Sequence, residues 1–368
     1  MIAIGSTTSL AERKARAGQM LVIGFAGTDV DDALREVTRT IQPGGFILFS
    51  RNVVEPGQVL ELNEALRALL PRHLAPLRTV DQEGGRVQRV RAPATEWPSM
   101  REVGATPWVA EVARGLATEV RAMGFDLTFA PVADVDSNPD NPVIGARSFG
   151  RDPTAVASCV AAFTTALQSA GVLGCAKHFP GHGDTHLDSH LALPTVEIEL
   201  PQLLGREWVP FEAAVGADVA TVMSAHVVFP ALDPHHPATL SPVVIPTLLR
   251  EKLNYRGVVF SDDLEMKAVA GRWSAEDLVR KGIEATIDVF LACKEHSLQL
   301  DVFEALVRAQ EADEAIARAV AESARRVAAL RARIPGATTR PNLSVLGCEA
   351  HAALAERVRQ YAAEQEPR

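Results

Sequence analysis

The stretch GVVFSDD, residues 257–263, is almost continuously apolar and then ends on two adjacent aspartates. A strand wetted on one face alternates apolar with polar residues; a parallel strand buried on both faces does not need to. The stretch therefore reads as a buried parallel strand with carboxylates at its C-terminal end. Seven other runs share this character: MLVIGFAG (20–27), GFILFS (45–50), LRTVDQ (77–82), LTFAPVAD (127–134), VLGCAKHF (172–179), VATVMSAH (219–226) and IDVFLAC (287–293). Polar or glycine-rich residues follow each one. Helical patterns then occupy 32–41, 57–70, 105–122, 153–170, 202–216, 243–254, 275–286 and a broken 299–332. Eightfold strand–helix alternation predicts a single closed (β/α)8 barrel rather than a doubly wound open sheet. Ser9–Glu12 and Ser274–Asp277 resemble capping boxes at helix starts. The segment IPGATTRPNLS (334–344) separates a last helix, about 347–364, from the barrel. The expected division is a barrel domain over 1–333, with a linker and C-terminal helix over 334–368.

The 368 residues are 47% hydrophobic and carry a formal charge of −9, with no Lys/Arg cluster in the sequence. A large core is available, and a nucleic-acid groove is not expected. The four cysteines are scattered and form no CxxC pair, so they read as reduced and buried. No run approaches the roughly 18 apolar residues of a membrane span. No h-region precedes a small-residue cleavage site. The expectation is a cytoplasmic monomer acting on a small molecule.

In such a barrel, chemistry collects where strands end and βα loops begin. Those ends carry Asp81, Asp134, Lys177, His178, His226, Asp262 and Asp263. One charged strand end is ordinarily a helix cap or a wetted residue; several on one rim predict a pocket. VDQEGGRVQRV (80–90) sets Asp81, Glu83, Arg86 and Arg89 around a Gly-Gly turn, and pairs of this kind suit the hydroxyls of a sugar. NPVIGARSFGRDP (141–153) reads as a loop in which Arg147 can enter a pocket. Of Asp262 and Asp263, only one can face the barrel centre, because adjacent strand residues point apart. A carboxylate there could attack an anomeric carbon.

KHFPGHGDTHLDSHLALP (177–194) places histidines at 178, 182, 186 and 190. The fourfold spacing would form a chelating stripe on a helix, but Pro180, Gly181 and Gly183 break any helix there. No usual zinc spacing is present. Two Asp-x-His units remain, Asp184–His186 and Asp188–His190, and either could serve as a proton-shuttling dyad. The residue chemistry leaves that choice open.

Lys-His-Phe-Pro-Gly-His-Gly, four free positions, then Asp-Ser-His resembles the signature of family 3 glycoside hydrolases of the bacterial β-N-acetylhexosaminidase branch. VDQEGGRVQR, ARSFG and LLREKLNYRGVVFSDD resemble that family in order, from about residue 18 to 293. The resemblance implies Asp262 as nucleophile, with Asp188 and His190 as the acid/base dyad. It also implies Asp81, Arg89, Arg147, Lys177 and His178 as ligands of a terminal N-acetylglucosamine. The implied reaction is retaining hydrolysis of muropeptides in peptidoglycan turnover, with no cofactor and no metal. A phosphorylase or β-glucosidase of the same family, and a metal-dependent barrel hydrolase, are the alternatives. Two departures stand out. Thr286 replaces a usual glycine, which touches barrel packing, and Glu265 replaces a small residue at the pocket's edge. Many members carry a second domain that supplies a carboxylic acid; this chain lacks the length for it, which fits an acid/base on the histidine loop.

Overall fold

The computed structural model describes residues 8–186, 189, 192–336 and 339–365. Every apolar run of the sequence contains a strand of one parallel sheet: β1 Leu21–Ile23, β2 Gly45–Leu48, β3 Leu77–Val80, β4 Leu127–Thr128, β5 Cys175–Phe179, β6 Thr221–Ser224, β7 Val258–Asp263 and β8 Val289–Ala292. Strands neighbour one another in chain order, and β1 pairs with β8 through Leu21 and Phe290. Between β4 and β5 the ladder thins to bridges at Leu127–Leu173 and Val132–Lys177. There the Cys175 amide donates to Ala130 O at 2.8 Å and the Ala133 amide to Lys177 O at 2.7 Å. The sheet thus closes into a (β/α)8 barrel.

Period-two alternation sorts each strand into an inner and an outer row. Val22, Ile47, Leu77, Phe129, Cys175, Val258, Phe260, Val289 and Leu291 form the barrel interior. Val259, Val222, Ala176 and Phe290 belong instead to the layer shared with the helices. Phe129 and Phe260 meet edge to face inside the barrel, centroids 5.4 Å apart. Truncating either to alanine would cost about 3–5 kcal/mol by the cavity it leaves.

The lower, N-terminal end of the barrel is plugged by the helix Glu314–Ala332. Val327 and Leu330 join the interior cluster from below. Asp288, just before β8, accepts from Arg250 at 2.6 Å, Ser323 at 2.7 Å and Arg326 at 2.9 Å, tying that helix to the barrel wall.

Helix boundaries differ from the sequence reading in places. The expected 202–216 helix is two, Leu200–Gly205 and Val209–Gly216. Pro210 lacks an amide hydrogen and its ring excludes a helical carbonyl at Arg206, so the helix breaks between them. The 299–332 segment is broken as expected, at Asp313, whose carboxylate caps the second helix. Residues 244–252 form a π-helix. The last helix, Glu349–Gln365, packs against the 100–104 and 109–122 helices. His351 Nδ1 donates to Glu119 at 2.8 Å, and Val358 is buried.

Candidate active site

The inner rows of three strands continue upward into chemistry. Asp262 follows Val258 and Phe260, Lys177 follows Leu173 and Cys175, and Asp81 follows Leu77 and Thr79. They open into a cavity of about 370 Å³ at the C-terminal mouth, lined also by Arg89, Arg147 and His178. The structure therefore brings together every proposed site residue that lies within the described set. His190 and Asp188 lie outside the described residues.

Charge organises one wall. Lys177 Nζ donates to Asp81 at 2.8 Å and pairs with Glu83 at 2.6 Å. Arg89 reaches the second oxygen of Asp81 at 3.0 Å, and Arg147 grips Glu83 through two 2.9 Å hydrogen bonds. Burial works against each charge, but the partners win. Lys177 and Arg89 hold the Asp81 carboxyl well below the usual range. Arg147 and Lys177 bring Glu83 down to about 2. Asp81 and Glu83 in turn hold the Lys177 ammonium above its ordinary value against burial. The cluster stays ionised at neutral pH, and its fixed donors and acceptors match a ring of hydroxyls.

Asp134, at 0% exposure, is the hub of the adjoining histidines. It accepts the His178 and His182 amides, the latter at 2.7 Å, and the His178 Nδ1–H at 2.7 Å. This fixes the His178 tautomer and leaves Nε2 as the ring's remaining polar atom. His182 serves the loop instead: its ring nitrogens bond Thr185 and Ser189, each at 3.0 Å. Burial and the neighbouring His178 push it down to about 4, so it stays neutral. Gly183 lies so close to the chain after β4 that a Cβ there would sit 1.6 Å from Val135 O. That contact needs glycine. The first Asp-x-His unit is split between partners: Asp184 accepts from Arg206 at 2.7 Å, and Asn138 donates to His186 Nδ1 at 3.1 Å.

At β7 the two aspartates divide their work. Asp262 accepts the Asp263 amide at 2.8 Å; burial would raise its pKa, but His178 and His226 outweigh it and lower it. Asp263 orders the loops by accepting from Glu265 N at 3.1 Å and Cys293 N at 3.3 Å, and burial pushes it up to about 7. Glu265 binds the Lys294 and Glu295 amides at 2.7 and 2.9 Å, joining the loops after β7 and β8. Among the described residues, no group of three or more His, Cys, Asp or Glu is arranged to hold a metal ion.

Three residues outside the expected site carry much of its structure. Glu83 stood in a quoted motif and Asp134 at a strand end, but nothing in the sequence named their partners. Glu207 gave no signal. It lies under Gly181, 1% exposed, with Oε1 accepting from Arg206 at 2.6 Å and Ser137 at 3.1 Å.

A barrel whose catalytic mouth pairs an ionised carboxylate with a polar, sugar-sized pocket defines a glycoside-hydrolase class of site, and comparison with known proteins agrees. The glycosyl hydrolase family 3 N terminal domain matches residues 13–330. The β-hexosaminidase of Methylococcus capsulatus is 41% identical over 271 residues, covering 72% of this chain and 79% of its own. A family 3 β-N-acetylglucosaminidase from a Paenibacillus species superposes with a TM-score of 0.87 at 36% identity, over 95% of this chain and 68% of that one. NagZ of Neisseria gonorrhoeae, in complex with N-trifluoroacetyl-D-glucosamine, superposes with a TM-score of 0.76 at 30% identity, over 93% and 98%. The chain belongs to glycoside hydrolase family 3, and it is a hydrolase of the β-N-acetylhexosaminidase type.

Proposed function

We propose that this enzyme is a retaining exo-β-N-acetylglucosaminidase that removes terminal N-acetylglucosamine from muropeptides in the cytoplasm. The observation that carries the reading is the convergence of Asp262, Lys177, Asp81, Arg147 and His178 on one cavity at the C-terminal mouth. The ionic cluster takes the hydroxyls of one sugar, which favours exo action. Asp262, held by one oxygen on the Asp263 amide, attacks C1 with the other. His190, protonated and oriented by Asp188, gives its proton to the leaving oxygen. Neutral His190 then takes a proton from water, which displaces Asp262 and releases the sugar with retained configuration. Engagement of Asp184 by Arg206 and of His186 by Asn138 supports the second Asp-x-His unit as the dyad. We place catalysis in residues 1–333, with 334–368 as linker and C-terminal helix.

A 2-fluoro N-acetylglucosaminide should label Asp262; label on another carboxylate removes the assignment. Product analysis on N-acetylglucosaminyl-anhydromuramic acid, with and without phosphate, tests the rest. Free N-acetylglucosamine in both arms supports hydrolysis, whereas sugar phosphate in the phosphate arm makes the enzyme a phosphorylase.

A further inference from the structure

A second cavity, about 380 Å³, opens at the other end of the barrel. Its walls come from residues just before β3 (Ala75, Pro76), before β4 (Gly124, Phe125) and before β5 (Gly171), with the end of the plugging helix on one side. In a chain of net charge −9, six arginines line this cavity, with Asp126 as the one carboxylate among the lining residues. Two of the six are neutralised: Arg78 by Asp126 at 2.6 Å, and Arg340 by Glu64. The other four, Arg67, Arg72, Arg121 and Arg331, make no ion pair among the described residues. Arg331 is the most telling. Its Nη2 donates to Gly44 O at 3.0 Å, while its Nε is buried without a partner. Burial alone acts on its proton affinity, drawing it down to about 10 with no carboxylate to offset it. A mostly buried guanidinium with no counter-charge costs stability unless an anion completes it.

We propose that this cavity is a binding site for a small phosphate-bearing anion, at the end of the barrel opposite the catalytic mouth. Guanidinium groups recognise phosphate oxygens in bidentate fashion, and four that lack ion-pair partners suit a doubly or triply charged ligand. Ile334 and Pro335 supply apolar wall beside them for the ligand's organic part. The site is concave and small, and the overall charge repels a long polyanion, so a small molecule fits it and a nucleic acid does not.

Thermal unfolding with inorganic pyrophosphate, against sodium chloride at matched ionic strength, tests the proposal. The expected result is a saturable rise in Tm of about 2–4 °C, as for any ligand that binds only the native state. Arg72→Gln, at an exposed position, and Arg121→Gln should abolish most of that rise and leave turnover unchanged. Lys177→Met, at the catalytic mouth, should keep it. No rise in the parent enzyme, a rise undiminished by both arginine variants, or a rise lost in Lys177→Met would each overturn the proposal. So would a labelled oligonucleotide that binds the parent enzyme and is released by Arg72→Gln.

Discussion

Glu83 holds Arg147 through both carboxylate oxygens, at 2.9 Å each, and with one of them also meets Lys177. One carboxylate thus sets the position of two cations that line the cavity at the C-terminal mouth. Glu83→Gln keeps the shape but loses the charge. Steady-state kinetics should show kcat/KM falling about 10²-fold, equivalent to about 3 kcal/mol of lost transition-state stabilisation, with KM rising. Glu83→Ala should in addition lower stability to denaturant by about 3–5 kcal/mol, because it strands buried charge.

The pH profile follows from Asp262. Its pKa is lowered from the ordinary carboxylate value, so it is ionised at neutral and mildly acidic pH, and activity depending on it is lost only as pH falls through that lowered value. An acid limb of kcat/KM near pH 5–6 would therefore belong to another group. Burial opposes the charge, and His178 is the first partner to offset it. His178→Gln should move the Asp262 limb to higher pH; a limb that stays in place contradicts this account.

The two Asp-x-His units separate by leaving group. His190→Ala should slow natural disaccharides by about 10²–10⁴-fold, the usual share of general acid catalysis, yet slow p-nitrophenyl glycosides far less. His186→Ala should spare both. The reverse pattern would transfer the proton to the first unit.

Thr286 carries φ of 63°, a left-handed conformation that β-branched residues avoid, at a position before β8. Thr286→Gly should relieve that strain at the loss of one weak contact, Thr286 Oγ1 to Arg250 Nε at 3.5 Å. After the entropy that glycine loses on folding, a gain of about 1 kcal/mol remains. Denaturant titration that shows destabilisation would refute it.

Glu207 provides a stability test independent of turnover. Burial, then Asp134, pushes its carboxyl up to about 7 from 4.5. The folded state keeps a proton that the unfolded chain has released, so stability declines as pH rises from about 4.5 to 7 and is level above. The decline should be on the order of 3 kcal/mol, and Glu207→Gln should flatten it.

The fold was legible because its signal repeats. Eight apolar runs each indicate a buried strand without reference to the others, and one strand's error could not have changed the barrel. The mouth was legible where a charge directly ended a strand, as at Asp81, Lys177 and Asp262. Asp134 was legible only as a strand-end charge, and the roles of Glu83 and Glu207 were not, because their meaning lies in partners far off in sequence: Arg147 is 64 residues from Glu83, and His178 is 44 from Asp134. The break inside 202–216 escaped for a related reason. Pro210 is compatible with a helix start and with a helix break alike, so its place in the sequence alone does not choose between them.

The seam between Leu21 and Phe290 has a meaning for synthesis. The first strand to leave the ribosome must wait for the last before either edge is covered, and Glu314–Ala332 must follow to floor the interior. Until then Phe129, Phe260 and their neighbours line an open trough, sticky and with raw strand edges. A chain stopped short of that helix holds every residue proposed to bind sugar and still has no finished vessel in which to use them.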